Sequence, residues 1–220
     1  MKNKFSIKKG ESKAVFNNPI LEKLTVTHIS VPLILFYGAS IGLITFGLTT
    51  THMSGWLIAG LFWFGLFFWT FFEYMMHKHV FHIVEHLPSA EKFQYLIHGI
   101  HHEYPRDKKR LIMPPLMSAT LALFFIWLFR ASLGDFGYGF GAGFLSGYAS
   151  YLSIHYATHV FQPPKNKLKK LWVHHAIHHY KDDSVAYGVS SPLWDWIFGT
   201  MPQKGRVTVK EDGVKTAIPQ

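Results

Sequence analysis

Fifteen of the 220 residues are histidine, and their spacing is more informative than their number. The pattern H-x-x-H-H occurs twice, at 98–102 and at 175–179. Residues at i, i+3 and i+4 share one face of an α-helix, so each triplet would present three imidazole rings to one side. Neutral imidazole is a good ligand for iron, zinc or copper, and without a metal so many neighbouring rings would repel one another when protonated. The two triplets therefore predict a metal site.

His155 and His159 add a pair at i and i+4, which would stack on one side of a helix. Tyr148 and Tyr151 lie one and two turns earlier on the same side. This placement puts two phenol groups just below a metal bound by the histidine pair.

His77 and His82 form a further pair, but their spacing of five residues fits a helix poorly. On an unbroken α-helix the two rings would point about 140° apart. The helix must therefore end or bend near Lys78, or the two rings must approach from different sides. His82 and His86 would be a better helical pair, so His86 stays open as a competing ligand.

The number of histidines predicts how many metal ions they serve. The chain has no cysteine, so every ligand must be nitrogen or oxygen. One zinc takes about four ligands and one non-haem iron about five or six, so eight to ten histidines indicate two metals. The nearby acids Glu73, Glu85 and Glu103 are too few, and they lack the Glu-x-x-His spacing of the usual di-iron bundle. We therefore expect a dimetal centre with nitrogen ligands.

Long uncharged segments must position these rings. The 49 residues between Lys23 and Glu73 contain no Asp, Glu, Lys or Arg, which is enough for two membrane crossings of about 20 residues each. Two more uncharged segments follow on either side of Arg130. The pattern predicts an all-α integral membrane protein with four spans in two hairpins, near 29–49, 55–76, 111–130 and 137–158.

The basic residues predict the orientation. All but Arg130 of the 22 Lys and Arg residues lie on the same side as the histidine groups. By the positive-inside rule, both termini and the metal site should be cytoplasmic, with the site in a helical cap. This topology and attraction to anionic headgroups explain the net charge of +9 without nucleic acid. We expect a single domain over 1–220, with a basic segment at 1–28 and a loose tail from about 203 to 220.

The order of the histidine groups, with apolar hairpins between them, resembles the fatty acid hydroxylase and sterol desaturase superfamily. Within it, "HKHVFH" (77–82) followed by "HGIHHEYPRDKKRLIMPP" (98–115) is similar to the fatty acid 2-hydroxylases. The segment "HAIHHYKDDSVAYGVSSPLWDWIFGTMP" (175–202) is similar to the same family. The likeness extends from about Glu73 to Pro202.

The resemblance implies ten metal ligands: His77, His82, His98, His101, His102, His155, His159, His175, His178 and His179. His79 and His174 are then expected beside the ligands, as rings that orient them or are spare. Adding His174 to the second triplet would widen its arc from about 100° to about 140°.

The resemblance also implies the reaction. It predicts an oxidoreductase that uses O₂ and two electrons to add a hydroxyl group at C2 of a fatty acyl chain, free or in a lipid such as a sphingolipid. Two iron ions are expected in function, and zinc is possible in purified protein because it binds nitrogen sites more tightly than ferrous iron. Relatives often carry an N-terminal b-type haem domain. Only about 28 residues precede the first predicted span, so we expect a separate donor, a b-type cytochrome or a ferredoxin-like protein.

Substrate contacts are expected from aromatic residues. Tyr148 and Tyr151 are candidates to contact the acyl chain or its carboxyl end, and Tyr187 and Trp194 are candidates for a lid. Family members commonly have Tyr-x-x-Tyr-Asp at the first of these sites. Here Leu152 replaces that acid, so any role that it has is absent from this chain.

Other interpretations stay open at the level of sequence. The same metal centre could hydroxylate or desaturate a sterol or a carotenoid. A membrane metal transporter or a b-type haem protein could also use histidine. A transporter would usually place ionisable residues near the midplane, and adjacent histidines such as His101 and His102 would crowd a porphyrin.

Overall fold

The computed structural model describes residues 7, 8, 10, 12, 14–23, 25–83 and 87–203, and all regular structure in these ranges is helical. The α-helices are α1 (Pro19–Lys23), α2 (Ser30–Thr50), α3 (Gly55–Met76), α4 (Glu91–Gln94), α5 (Ile100–Glu103), α6 (Pro115–Leu133), α7 (Phe136–Val160), α8 (Lys169–Tyr180) and α9 (Leu193–Ile197). A π-helical turn, His77–Phe81, extends α3, and a second, Tyr95–Gly99, joins α4 to α5. The competing ligand His86 and residues 204–220 of the expected loose tail lie outside the described residues.

Three helices in the described ranges are long and apolar enough to cross a membrane: α2, α3 with its extension to Phe81, and α6. They correspond to the first three predicted spans, but α6 begins at Pro115 instead of near 111. The two consecutive prolines explain the shift, because a residue before proline is pushed out of the α region. Pro114 accordingly has an extended ψ of 150°.

The fourth predicted span coincides with α7, which is a continuous helix but less apolar than the other three. Its glycines pack against neighbouring helices. A Cβ added at Gly143 would lie 1.9 Å from the carbonyl oxygen of Phe62, and one at Gly147 would lie 2.4 Å from Cβ of Trp69. Small residues that let backbones approach are typical of helix contacts in membranes. The low hydropathy of α7 therefore follows from its central position between α2, α3 and α6.

Aromatic side chains fill the space between the four long helices. The ring of Phe144 on α7 packs against Trp69 and Phe72 from α3 and against Phe125 and Phe129 from α6. This core fixes the ends of α3 and α7 beside each other, and both ends carry histidines.

Candidate metal centre

Ten described histidines form two groups of five. Within each group, one ring nitrogen from every histidine lies within 4.8 Å of those of the other four. Group A contains His77, His82, His98, His102 and His178. Group B contains His101, His155, His159, His175 and His179. All are buried except the half-buried His159. These are the ten residues that the family resemblance implied as ligands.

The two H-x-x-H-H triplets are each divided between the groups. In the first triplet, the outer residues His98 and His102 belong to group A and His101 to group B. In the second triplet the division is reversed, since only His178 belongs to group A. Adjacent helical residues point about 100° apart, so the neighbours at the end of each triplet diverge toward different groups. Both triplets therefore tie the two groups together.

A π-helical turn explains how His77 and His82, five residues apart, belong to the same histidine group. The turn His77–Phe81 has hydrogen bonds between residues five apart and is wider than an α-helical turn. Residues five apart then approach one face, and the two rings lie 5.4 Å apart between centroids. The helix thus changes its pitch at the point where a bend was predicted near Lys78.

The Nε2 atoms within each group point at one another. In group A, the Nε2 atom of His98 lies 3.1 Å from that of His77 and 2.9 Å from that of His102. In group B, the Nε2 atoms of His159 and His175 are 2.7 Å apart. Neutral imidazoles have one lone pair each, so converging nitrogens at these distances need a shared proton or a cation between them.

Burial keeps the rings outside the membrane helices neutral. It lowers the pKa of each of these histidines well below its ordinary value, and the neighbouring imidazoles lower it further. The residues concerned are His98, His101, His102, His175, His178 and His179. The neutral ring is the form that binds a metal ion.

Backbone carbonyls orient two rings of group A. His77 Nδ1 lies 2.6 Å from the carbonyl oxygen of Tyr187, and His178 Nδ1 lies 2.8 Å from that of Val185. A carbonyl only accepts, so each Nδ1–H donates and the lone pair stays on Nε2, facing the group. Hydrogen bonds of this kind fix the tautomer and orientation of metal-binding histidines.

Two buried carboxylates hold the loop that supplies these carbonyls. Asp195 accepts from the N–H groups of Tyr187 at 2.9 Å and Gly188 at 2.8 Å. Glu73 accepts from the N–H of Val189 at 2.6 Å and from Ser190. Neither acid was identified from the sequence as supporting the site. The sequence suggested Glu73 only as a metal ligand and Asp195 only as part of a motif. The position of Asp195 between two tryptophans is the signal that could have suggested a buried acid.

His174 and His79 lie outside both groups. His174 Nε2 is 2.9 Å from Oδ2 of Asp195, so this ring contacts the carboxylate that holds the loop. His79 is half-buried on the π-helical turn of α3. Both rings therefore lie outside the two donor sets, and their role beside the ligands stays a prediction.

An apolar cavity of about 490 Å³ reaches both groups. Its lining includes His77 and His98 of group A and His101 and His155 of group B. The rest is mainly aliphatic and aromatic, with side chains from α2, α3, α6 and α7, such as Phe36, Phe72, Leu121, Phe125, Leu145 and Leu152. The cavity therefore offers an apolar space that ends at the histidines.

The predicted substrate residues occupy different positions relative to this cavity. Tyr148 and Tyr151 line it, and the ring of Tyr151 stacks on His155 with centroids 5.4 Å apart. Tyr187 is buried against group A, 5.5 Å from His82 between ring centroids. Trp194 donates a hydrogen bond of 2.9 Å to Thr70 on α3. Neither Tyr187 nor Trp194 is part of the cavity lining, so their positions do not suit a lid over it.

The N-terminal segment forms part of the cavity wall. Val15 and Phe16 line the cavity, and their N–H groups donate to Glu22 at 2.9 and 3.0 Å. The Glu22 carboxylate is in turn bound by Arg110. The ion pair between Glu22 and Arg110 therefore helps to hold Val15 and Phe16 at the cavity.

The donor set fits two metal ions. Each group offers five neutral nitrogen donors around one point, which suits iron or zinc and excludes the close approach of a porphyrin. The ring centroids of His102 and His179, from different groups, are 4.2 Å apart, so the two points are neighbours.

The fold and this centre define a helical protein with membrane-length helices and two adjacent histidine groups able to hold metal ions. The chain belongs to the fatty acid hydroxylase family, because the sequence model of that family matches residues 62–200. It is 40% identical over 141 residues to a dihydroceramide fatty acyl 2-hydroxylase of Arabidopsis thaliana, covering 63% of this chain and 59% of that one. It is 36% identical over 148 residues to the fatty acid 2-hydroxylase of Mus musculus, covering 64% of this chain and 39% of the other.

A solved structure has the same fold. It is described as full-length scs7p with only the hydroxylase domain visible, and it superposes with a TM-score of 0.81 at 34% identity. The match covers 89% of this chain and 74% of that one. The chain thus spans a large part of a hydroxylase domain but less than two thirds of the length of the curated relatives above.

Proposed function

We propose that this protein is an O₂-dependent membrane hydroxylase that adds a hydroxyl group at C2 of a fatty acyl chain. The observation that carries this proposal is the apolar cavity that ends at histidines of both groups. An acyl chain fits an apolar cavity, and its carboxyl end and C2 would then lie at the histidines. Relatives named as acyl 2-hydroxylases support this substrate class over a sterol or a carotenoid.

In this proposal the ten histidines hold two metal ions, one in each group. Bound iron would supply the redox chemistry with which O₂ attacks a C–H bond. The overall reaction inserts one oxygen atom into that bond and releases the other as water, using two electrons and two protons. The aromatic core around Phe144 forms part of the cavity wall and would limit the entry of water, which would protect the oxidant from side reactions.

The remaining residues position the reacting parts. The carbonyls of Tyr187 and Val185 hold two rings of group A in the tautomer that binds a metal. The loop that carries these carbonyls is fixed by Asp195 and Glu73. Tyr148 and Tyr151 stack in line with His155 at the cavity wall and would contact the substrate close to its carboxyl end.

We further propose that α7 is the fourth membrane span and that both termini and the histidine groups face the cytoplasm. The support is the distribution of Lys and Arg, of which only Arg130 lies at the opposite end of the helices. The described helices would then act as one hydroxylase domain. Electrons would come from a separate carrier protein, such as a b-type cytochrome or a ferredoxin.

Product analysis tests the main proposal. Lipids from cells expressing the protein are hydrolysed and analysed for 2-hydroxy fatty acids, in a host that supplies reducing equivalents. We expect new 2-hydroxy acids with the wild type, none with His178→Ala, and unchanged amounts with His52→Ala, whose histidine lies in the loop between α2 and α3. Hydroxylated or desaturated sterols or carotenoids without 2-hydroxy acids would reject the acyl substrate.

A further inference from the structure

The helix α8 has two faces of opposite character. His174, His175, His178 and His179 face inward and are at most 7% exposed. The opposite face carries Lys169, Val173, Ala176 and Tyr180, at helical spacing, and all four are exposed. One helix therefore separates both histidine groups from the surroundings, since α8 contributes rings to each.

The other element that contributes to both groups is covered. The segment containing α5 carries His101 and His102, and the neighbouring residues Ile100 and Tyr104 are each only 8% exposed. His98 lies on the π-helical turn before α5 and is 5% exposed, and the remaining rings lie at the ends of α3 and α7. Among the described elements, α8 thus gives a partner protein the most direct approach to the two groups.

A cluster of lysines stands at the start of this face. Lys165, Lys167, Lys169 and Lys170, which we call the lysine patch, are all exposed. The sequence has no Asp or Glu between Phe161 and Lys181, and no described acid forms an ion pair with the patch. The patch is therefore an uncompensated positive surface.

The lysine patch destabilises helix α8, which indicates that the patch interacts with something outside the helix. Positive side chains at the start of a helix oppose its dipole, and the first turn of α8 has no acid to balance them. Exposed Val173 and Tyr180 continue the surface beyond the lysines. A small apolar area beside a charged rim is the usual composition of a protein interface.

We propose that the outer face of α8, with the lysine patch, is the docking surface for an acidic one-electron carrier protein. This inference rests on the proposed function, because the hydroxylation requires two electrons per turnover. The carrier would approach with its negative surface on the lysine patch and deliver the electrons singly. Lys170 and His175 are five residues apart, so a carrier bound here would stand within about 8 Å of group B along the helix axis.

The size of the surface suits a transient complex. The twelve residues of α8 form a helix about 18 Å long. Weak electron-transfer complexes bury less than about 1,200 Å² in total, which one exposed helix and its flanking lysines can supply. Charge attraction would mainly raise the association rate and would weaken with salt.

The test uses the full chain, loaded with iron, in nanodiscs of uncharged phosphatidylcholine. The variant carries Lys165→Glu, Lys167→Glu, Lys169→Glu and Lys170→Glu. The matched control reverses four exposed basic residues elsewhere, Lys23, Lys92, Lys108 and Lys109. Equilibrium binding of an acidic b-type cytochrome and of an acidic plant-type ferredoxin is measured first, followed by hydroxylation with each carrier or with dithionite.

We expect the patch variant to raise the Kd of at least one carrier by about tenfold or more, and to remove most of its salt dependence, with the control variant close to wild type. Hydroxylation driven by dithionite should be equal in all three proteins. Equal carrier binding by the patch variant and the wild type would overturn the docking proposal. A patch variant that bound both carriers like the wild type, and differed from it only when the nanodiscs contained phosphatidylserine, would overturn it in favour of a lipid-binding role. Absence of product with dithionite in the wild type would instead contradict the proposed function.

Discussion

His101 and His102 are adjacent in the sequence, yet their rings belong to different histidine groups, with centroids 6.0 Å apart and planes inclined at 74°. The ring of His102 is directed at His98 and that of His101 at His155. The same division occurs between His178 and His179. Each triplet therefore serves two metal positions, and the two positions cannot move independently.

This division predicts how metal content responds to substitution. His82→Ala removes a donor from group A alone, and His159→Ala removes one from group B alone. We expect metal analysis of the purified wild type to give close to two ions per chain, and each variant close to one. A wild type with one tightly bound ion would contradict two metal positions, as would loss of both ions from each single variant.

The histidine registers could be predicted from the sequence, but their division between two groups could not. Spacing at i, i+3 and i+4 places three rings within an arc of about 100°, and only the opposing helices decide where each ring points. For His77 and His82 the sequence predicts that the helix ends or bends near Lys78 or that the rings approach from different sides, and the structure has a π-helical turn there. The α-helical periodicity used for the prediction contains no π-helical turn, so the type of turn could not be predicted.

The prediction of the helices from the sequence has a similar limit. Charge-free segments predicted α2, α3 and α6 closely because burial in lipid and burial in protein both favour apolar residues. Helix α7 is rich in glycine because it approaches α3 closely, and this lowers its hydropathy. Asp195 acts through the backbone N–H groups of Tyr187 and Gly188, and the sequence pattern does not show this pairing, so only the folded chain reveals it.

His174 and His175 should differ strongly when replaced. His175 is a member of group B, whereas His174 contacts the carboxylate of Asp195. We expect His175→Ala to reduce the yield of 2-hydroxy acid at least 100-fold and to lower metal content. His174→Ala should cost about tenfold or less, because groups that support a ligand contribute less than the ligand itself. Equal losses would contradict the metal-binding register that places His175, and not His174, among the ligands.

Acidification should unfold the metal-free protein. Burial lowers the pKa of six histidines outside the membrane helices. In the unfolded chain these histidines have a pKa of about 6.5, so below that pH the unfolded chain binds more protons than the folded one. Stability is then retained above pH 6.5 and lost as the pH falls, by up to about 1.4 kcal/mol per pH unit for each histidine. Thermal melts of chelator-treated protein between pH 7.5 and 5 should show this loss, and a flat profile would exclude it.

Bound metal should oppose this loss. Metal ions stabilise the folded state and compete with protons for the same nitrogens. The melting temperature of the iron-loaded protein should therefore change less between pH 7.5 and pH 6 than that of the metal-free protein. Identical pH profiles would indicate that the two histidine groups do not bind the added metal.

Filling the cavity should block the substrate without removing the metals. Leu121 on α6 lines the cavity, whereas Leu123, two residues later, is 68% exposed at the outer surface of the helix. We expect Leu121→Trp to lower the yield of 2-hydroxy acids by about tenfold or more at unchanged metal content. Leu123→Trp should leave both unchanged. Equal activity of the two variants would show that the acyl chain does not use this cavity.

The contact between α3 and α7 should tolerate no added side chain. A methyl group at Gly143 would meet the carbonyl oxygen of Phe62 at 1.9 Å, whereas one at Gly42 on α2 has open space around it. We expect Gly143→Ala to force the two helices apart and to destabilise the fold by about 2 kcal/mol or more. Gly42→Ala should change stability by less than about 1 kcal/mol, in the stabilising direction. Because α3 and α7 carry rings of different groups, Gly143→Ala should also lower metal content. A variant that kept both its stability and its metals would contradict this packing.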